Sequence, residues 1–110
     1  MSNAYGAAAG LLGLPGEIVK FMARAYDVEV SPTQVDAQSY STQTFTVTGL
    51  LLPDMVIAIK PTRQEGLEIM DAIVSADNTL SLRFANRSIQ HITPTAAETY
   101  KVIAIRIAAT

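Results

Sequence analysis

The sequence contains no cysteine and no tryptophan, and it has a single histidine, His91. Without cysteine there are no disulfides, no thiolate metal sites and no cysteine nucleophile, which fits synthesis in a reducing cytosol. Charge is also sparse. Only 16% of the 110 residues are Asp, Glu, Lys or Arg, against roughly 25% in an ordinary soluble domain, and the net charge is −2. The eight basic residues form no run, so nothing in the sequence points to nucleic acid as a partner. A chain of this length makes at most one domain with one core and little margin of stability. With 49% of its residues hydrophobic and few charges for solvent, it is expected either to hide further surface against partners or to face water through its serines and threonines.

Long apolar runs are missing as well. Ala4 to Gly16 is uncharged but too short to span a bilayer, which takes about 20 apolar residues. No basic stretch precedes it as in a signal peptide, so the segment is expected to belong to the mature protein, with no membrane partner. Residues 1–25 form one expected unit, an apolar arm or short helix. Gly6, Gly10, Gly13 and Gly16 weaken regular structure in its first part. From Pro15 onward a helix is possible, with Pro15 in its first turn and Glu17 favoured near its N-terminus. Ile18, Phe21 and Met22 would then share one face. The expected contact residues are Leu11, Leu12, Leu14, Ile18, Phe21 and Met22. The arm either reaches a neighbouring subunit or folds over its own domain.

Residues 26–110 form the second unit and read as strands. Tyr26, Val28 and Val30 alternate with Asp27 and Glu29, the period-2 pattern of a half-buried strand. Gln43 to Thr48 alternates with Phe45 and Val47 inward. Met55 to Lys60 is continuously apolar, so cover on both faces is expected. Leu67 to Ser75 alternates except around Met70-Asp71-Ala72, and a tight turn is expected at Ala76-Asp77-Asn78. Thr79 to Ala85 points Leu80, Leu82 and Phe84 inward. In the last strand, Tyr100 to Ala108, the set Val102, Ala104, Arg106 and Ala108 lies opposite Ile103, Ile105 and Ile107. Six strands at these spacings predict an all-β, antiparallel β-sandwich or barrel.

Sites for chemistry are few. His91 lies between Gln90 and Ile92 in an expected loop, with no Cys to share a metal, and reads as an ordinary polar loop residue. No serine sits in a nucleophile elbow. Glu65 and Glu68 are three apart, which in a strand puts them on opposite faces. Asp54 and Asp77 sit at turns, where Asp bonds its own backbone. There is no phosphate-binding glycine motif and no dense oxygen cluster for calcium. The expectation is no catalytic residue, no metal and no cofactor.

The ordered strands also carry a resemblance. Ser31-Pro32-Thr33-Gln34-Val35 is followed by Gln43-Thr44-Phe45-Thr46-Val47-Thr48-Gly49-Leu50, Pro53-Asp54-Met55-Val56 and Lys60-Pro61. Then come Gly66-Leu67, Val74 to Leu80, Phe84-Ala85-Asn86, Ile92-Thr93-Pro94 and Glu98-Thr99-Tyr100. Over residues 31–107 this resembles the small β-sandwich domain of capsid cement (decoration) proteins of tailed bacteriophages. Leu51-Leu52-Pro53 departs from the more polar turn usual there. The resemblance implies a jelly-roll-like sandwich, no enzymatic activity, a homotrimer, and location on the capsid surface of the virion. It also implies binding to the major capsid protein outside the assembled head, which bridges and stabilises neighbouring subunits. A tail, collar or fibre component, a glycan-binding module and a hydrolase using His91 are the alternatives.

Overall fold

The structure is a computed structural model that describes the backbone of residues 20–108 and the side chains of residues 22–107. Six strands follow in chain order: β1 (Lys20–Val30), β2 (Ser39–Thr46), β3 (Met55–Ile59), β4 (Leu67–Ala76), β5 (Thr79–Asn86) and β6 (Glu98–Ala108). They form two three-stranded antiparallel sheets, one ordered β1-β6-β3 and the other β2-β5-β4. The described residues contain no helix, and the expected all-β, two-sheet architecture is present.

The first strand departs from expectation. It starts at Lys20 rather than near Tyr26 and pairs continuously with β6 from Lys20↔Ala108 to Val30↔Glu98. Phe21 and Met22, expected on a helix or arm, therefore lie in a strand. Eleven consecutive backbone pairings with β6 outweigh the weak helical spacing of three apolar residues. The rest of the expected arm, including Leu11, Leu12, Leu14 and Ile18, lies outside the described residues.

Only one connection is a hairpin, the two-residue turn Asp77-Asn78 between β4 and β5, where Asn78 takes a left-handed φ of 62°. Asn tolerates that region better than other non-glycine residues. The other four connections cross between the sheets, and each carries a proline: Pro32, Pro53, Pro61 and Pro94. Proline cannot donate to a ladder, so it suits the points where the chain leaves one sheet for the other.

The core lies between the sheets. Val30, Val35, Val47, Leu50, Val74, Leu80, Leu82, Phe84, Tyr100, Val102 and Ala104 form one buried cluster, with Tyr26, Val28, Phe45, Val56 and Ala58 packed against it. The inward phases expected for β2 and β5 are therefore those observed, and of the two opposed sets of β6 it is Val102 and Ala104 that face the core. In β4 the register shifts between Ile69 and Asp71, leaving Met70 as an extra residue. The bulge reverses the alternation, so Leu67 and Ile69 pack inward before it, Ala72 and Val74 after it, and Ile73 turns out to solvent.

Side chains tie the crossing connections down. The Gln43 amide accepts from the Thr33 backbone N–H (2.8 Å) and donates to the Thr33 carbonyl (3.1 Å). Buried Asn86 donates to the carbonyls of Val35 (3.0 Å) and Gln90 (2.8 Å) and accepts from the Ser88 backbone N–H (2.9 Å). A buried amide satisfied on three sides fixes two loops at once.

Tyr100 is the exception. Its ring is fully buried, but its hydroxyl has no hydrogen-bond partner, and burial, with Glu98 nearby, pushes its pKa up to about 12. Because an unpaired buried hydroxyl costs free energy while the ring packs well, Tyr100→Phe is expected to leave stability unchanged or raise it by up to about 1 kcal/mol. By contrast Leu82→Ala, which leaves a cavity, is expected to cost about 3 kcal/mol. Urea denaturation of the two variants beside the parent chain checks both.

Candidate functional site

Strand β6 is central to its sheet and apolar on both sides. Val102 and Ala104 face the core, and the alternate residues Ile103, Ile105 and Ile107 face away from it. The flanking strands follow the same alternation: Met55, Ile57 and Ile59 of β3, and Ala23 and Ala25 of β1. Cross-strand register aligns these into rungs. Ala23, Ile105 and Met55 form one, and Ala25, Ile103 and Ile57 the next. At the following rung Asp27, Lys101 and Ile59 stand together, with Lys101 Nζ 2.6 Å from Asp27 Oδ1. Beyond it Glu29 opposes Thr99. The face is thus apolar through two complete rungs and turns polar at one end.

The face is open. Met55, Ile57, Ile59 and Ile107 are 53%, 54%, 51% and 58% exposed. Among the described residues the cover expected on both sides of β3 is therefore present on one side only, because the second sheet packs against the Val56 and Ala58 side. Three strands about 4.8 Å apart and several residues along each, with their projecting side chains, leave on the order of 500 Å² of apolar surface in water. At about 25 cal/mol per Å² its burial is worth on the order of 10 kcal/mol before the entropy of association is subtracted.

The opposite outer face, on β2-β5-β4, differs in chemistry. Thr42, Thr44 and Thr46 project from β2, and Tyr40 is 64% exposed. The Arg83 guanidinium lies over the Tyr40 ring at 5.5 Å, its Nε donates to Thr42 Oγ1 at 3.3 Å, and its Nη1 is 3.8 Å from Asp71 Oδ2. The exposed Tyr40 ring thus stands beside one arginine and one acid.

Of the polar residues singled out in the sequence, His91 is exposed, and its Nδ1 accepts from the Ala37 backbone N–H at 3.1 Å. It holds a loop. Glu68 pairs with Arg87 at 2.6 Å. Asp77 accepts from the Leu52 backbone N–H at 3.0 Å. Among the described residues no three of His, Asp and Glu gather into a group able to hold a metal ion.

Asp54 does more than its turn position suggested. It accepts from the Leu51 backbone N–H at 3.0 Å as expected of a turn aspartate, but its carboxylate is buried and gripped in parallel by Arg106, Nε to Oδ1 at 2.7 Å and Nη2 to Oδ2 at 2.8 Å. Arg106 Nη2 also donates to the Gly49 carbonyl at 3.1 Å. Gly49 has φ +110°, and a Cβ there would stand 2.9 Å from the Tyr26 hydroxyl, so glycine is required. The pair anchors the 47–54 connection, and with it the entry to β3, onto β6. The sequence did carry a signal: Arg106 occupies the inward phase of β6, where a charge needs a buried partner. An open groove of about 330 Å³ lies beside this pair, lined also by Met22, Arg24 and Tyr26. The carboxylate within it is already spoken for by Arg106. A second ion pair, Lys60 with Glu98 at 2.9 Å, supports the far end of β3, where the Thr62 hydroxyl also donates to Glu98. Those two donors, Thr62 first, hold Glu98 below its usual pKa.

Comparison of the chain with protein-family profiles, with curated proteins and with solved structures finds no match.

Hydrogen bonding from Arg106, opposed by burial and aided by the Leu51 N–H, lowers the Asp54 pKa from 3.8 to about 2. A carboxylate with a depressed folded-state pKa contributes stability above its unfolded pKa and loses it as pH falls through the folded value. Part of the chain's stability should therefore disappear between about pH 4 and pH 2. Asp54→Asn should be less stable at pH 7 and show a flatter profile across that window. Denaturation midpoints at a series of pH values would show whether the two curves converge in acid.

Proposed function

We propose that the chain is a structural virion protein, a cement (decoration) protein of a tailed bacteriophage that binds the outside of the assembled head as a homotrimer and bridges neighbouring major capsid subunits. The observation that carries the structural part of this reading is the open apolar face of the β1-β6-β3 sheet. A monomer that leaves such a face in water gains by joining a larger assembly. The phage part rests on the resemblance over residues 31–107. A jelly-roll-like arrangement is compatible with two antiparallel sheets joined by four crossing connections.

In this reading the sandwich is a rigid, non-catalytic knob, and Leu11, Leu12, Leu14 and Ile18 supply apolar contacts to the shell. A contact of roughly 1,600 Å² in total is the usual size of a specific interface, and repetition over a symmetric lattice adds avidity. Purified particles should carry this chain at a copy number near that of the major capsid protein. A few copies per particle would instead favour a tail, collar or fibre component. Leu11→Asp combined with Leu14→Asp should release the chain from particles without altering its circular dichroism.

Tyr40, Arg83 and Asp71 favour a second reading, a glycan-binding module on the virion surface. It predicts that the isolated protein labels defined glycans on an array and that Tyr40→Ala abolishes the labelling. No labelling by the parent chain removes this reading.

A further inference from the structure

We infer that the apolar outer face of the β1-β6-β3 sheet is the contact between copies of this chain, with Met55, Ile57, Ile103 and Ile105 of each copy turned toward its neighbours around the three-fold axis of the proposed trimer. This rests on the reading of the chain as a subunit of an assembly and names the surface and the partner.

Three features favour a second copy as the occupant. The first is charge. The two central rungs, Ala23–Ile105–Met55 and Ala25–Ile103–Ile57, carry no ionisable group. A surface that meets itself across a symmetry axis brings each charge toward its own kind. An uncharged patch is self-complementary by default, and the nearest charges, Asp27 and Lys101, already neutralise each other at 2.6 Å. The second is anatomy. An apolar patch bounded at one end by the Asp27–Lys101 and Glu29–Thr99 rungs has the dry middle of a protein interface and, at that end, its polar edge, and its roughly 500 Å² supplies most of the ~800 Å² per partner in a standard one. The third is shape. Three regular strands carrying a row of isoleucines make a smooth surface that can close against its neighbours around a symmetry axis.

The absence of cysteine makes the test clean. Ile57→Cys and Thr44→Cys each place one thiol in the chain, the first on the proposed contact and the second on the outer face of the other sheet. Mild oxidation should cross-link the Ile57→Cys protein into covalent dimers and leave the Thr44→Cys protein uncross-linked. In sedimentation velocity the parent chain should run larger than a monomer at micromolar concentration. Ile57→Asp, which keeps the inward face intact and should keep the β-sheet circular dichroism, should raise the dissociation constant at least 100-fold. A parent chain that stays monomeric up to hundreds of micromolar overturns the inference, as does cross-linking through Thr44→Cys but not Ile57→Cys. If the parent is monomeric yet abundant on particles, the inference fails and the trimer with it, while binding to the head stands. If it is oligomeric through this face but absent from particles, the reverse holds.

Discussion

A two-layer sandwich has one interior, and β6 has two apolar sides. This mismatch is the constraint on which the rest of the molecule turns. Val102 and Ala104 find the core, while Ile103, Ile105 and Ile107 on the same strand do not. The neighbours repeat the conflict, since β3 sends Val56 and Ala58 inward and Met55, Ile57 and Ile59 outward. With each sheet only three strands wide, nothing else among the described elements lies over the outer side. Met55, Ile57, Ile59 and Ile107 therefore stand exposed together on one face, whereas single hydrophobic residues scattered over a surface need no explanation.

The remaining structure holds that face flat and in register. β3 is short, five residues, and pairs on one edge only. Its entry is fixed by Asp54, clamped by Arg106 of β6, and its exit by Lys60, paired with Glu98 of the same strand. Two ion pairs thus fasten β3 at both ends to β6, its one partner among the described residues, while the connection before it is bonded to the Asp77-Asn78 turn of the other sheet through Asn78 Oδ1 and Asp77 Oδ1. The exposed isoleucines consequently sit on a braced ladder, and a surface that is already ordered loses less entropy when it binds.

Much of this could be read from residue order. The alternation of Leu80, Leu82 and Phe84 gave the inward face of β5 directly, and that of β6 separated Val102 and Ala104 from the isoleucine row, though only the second sheet shows which set it covers. Other features needed three dimensions. The interruption at Met70 was visible, but only the cross-strand register shows that it reverses which residues face the core. The partnership of Asp54 with Arg106 spans 52 residues of chain, and the helical spacing of Ile18, Phe21 and Met22 gave no hint that β6 offers a full-length pairing partner. The apolar run of β3 suggested burial on both sides, a fair inference from composition, and the single chain satisfies only half of it. That unsatisfied half is the candidate site, and the isoleucine row of β6 had carried the same message in the sequence.

The central claim is that the outer face of β1-β6-β3 is exposed in the single chain and covered by protein in the working state. Methyl NMR on isoleucine-labelled protein with a soluble paramagnetic agent tests it most directly. The account predicts that the methyls of Ile57, Ile59 and Ile107 broaden strongly in dilute solution and become protected as concentration rises, while Ile89, exposed on a loop, broadens throughout. Strong broadening of Ile57, Ile59 and Ile107 at every concentration and in the presence of assembled particles would contradict it.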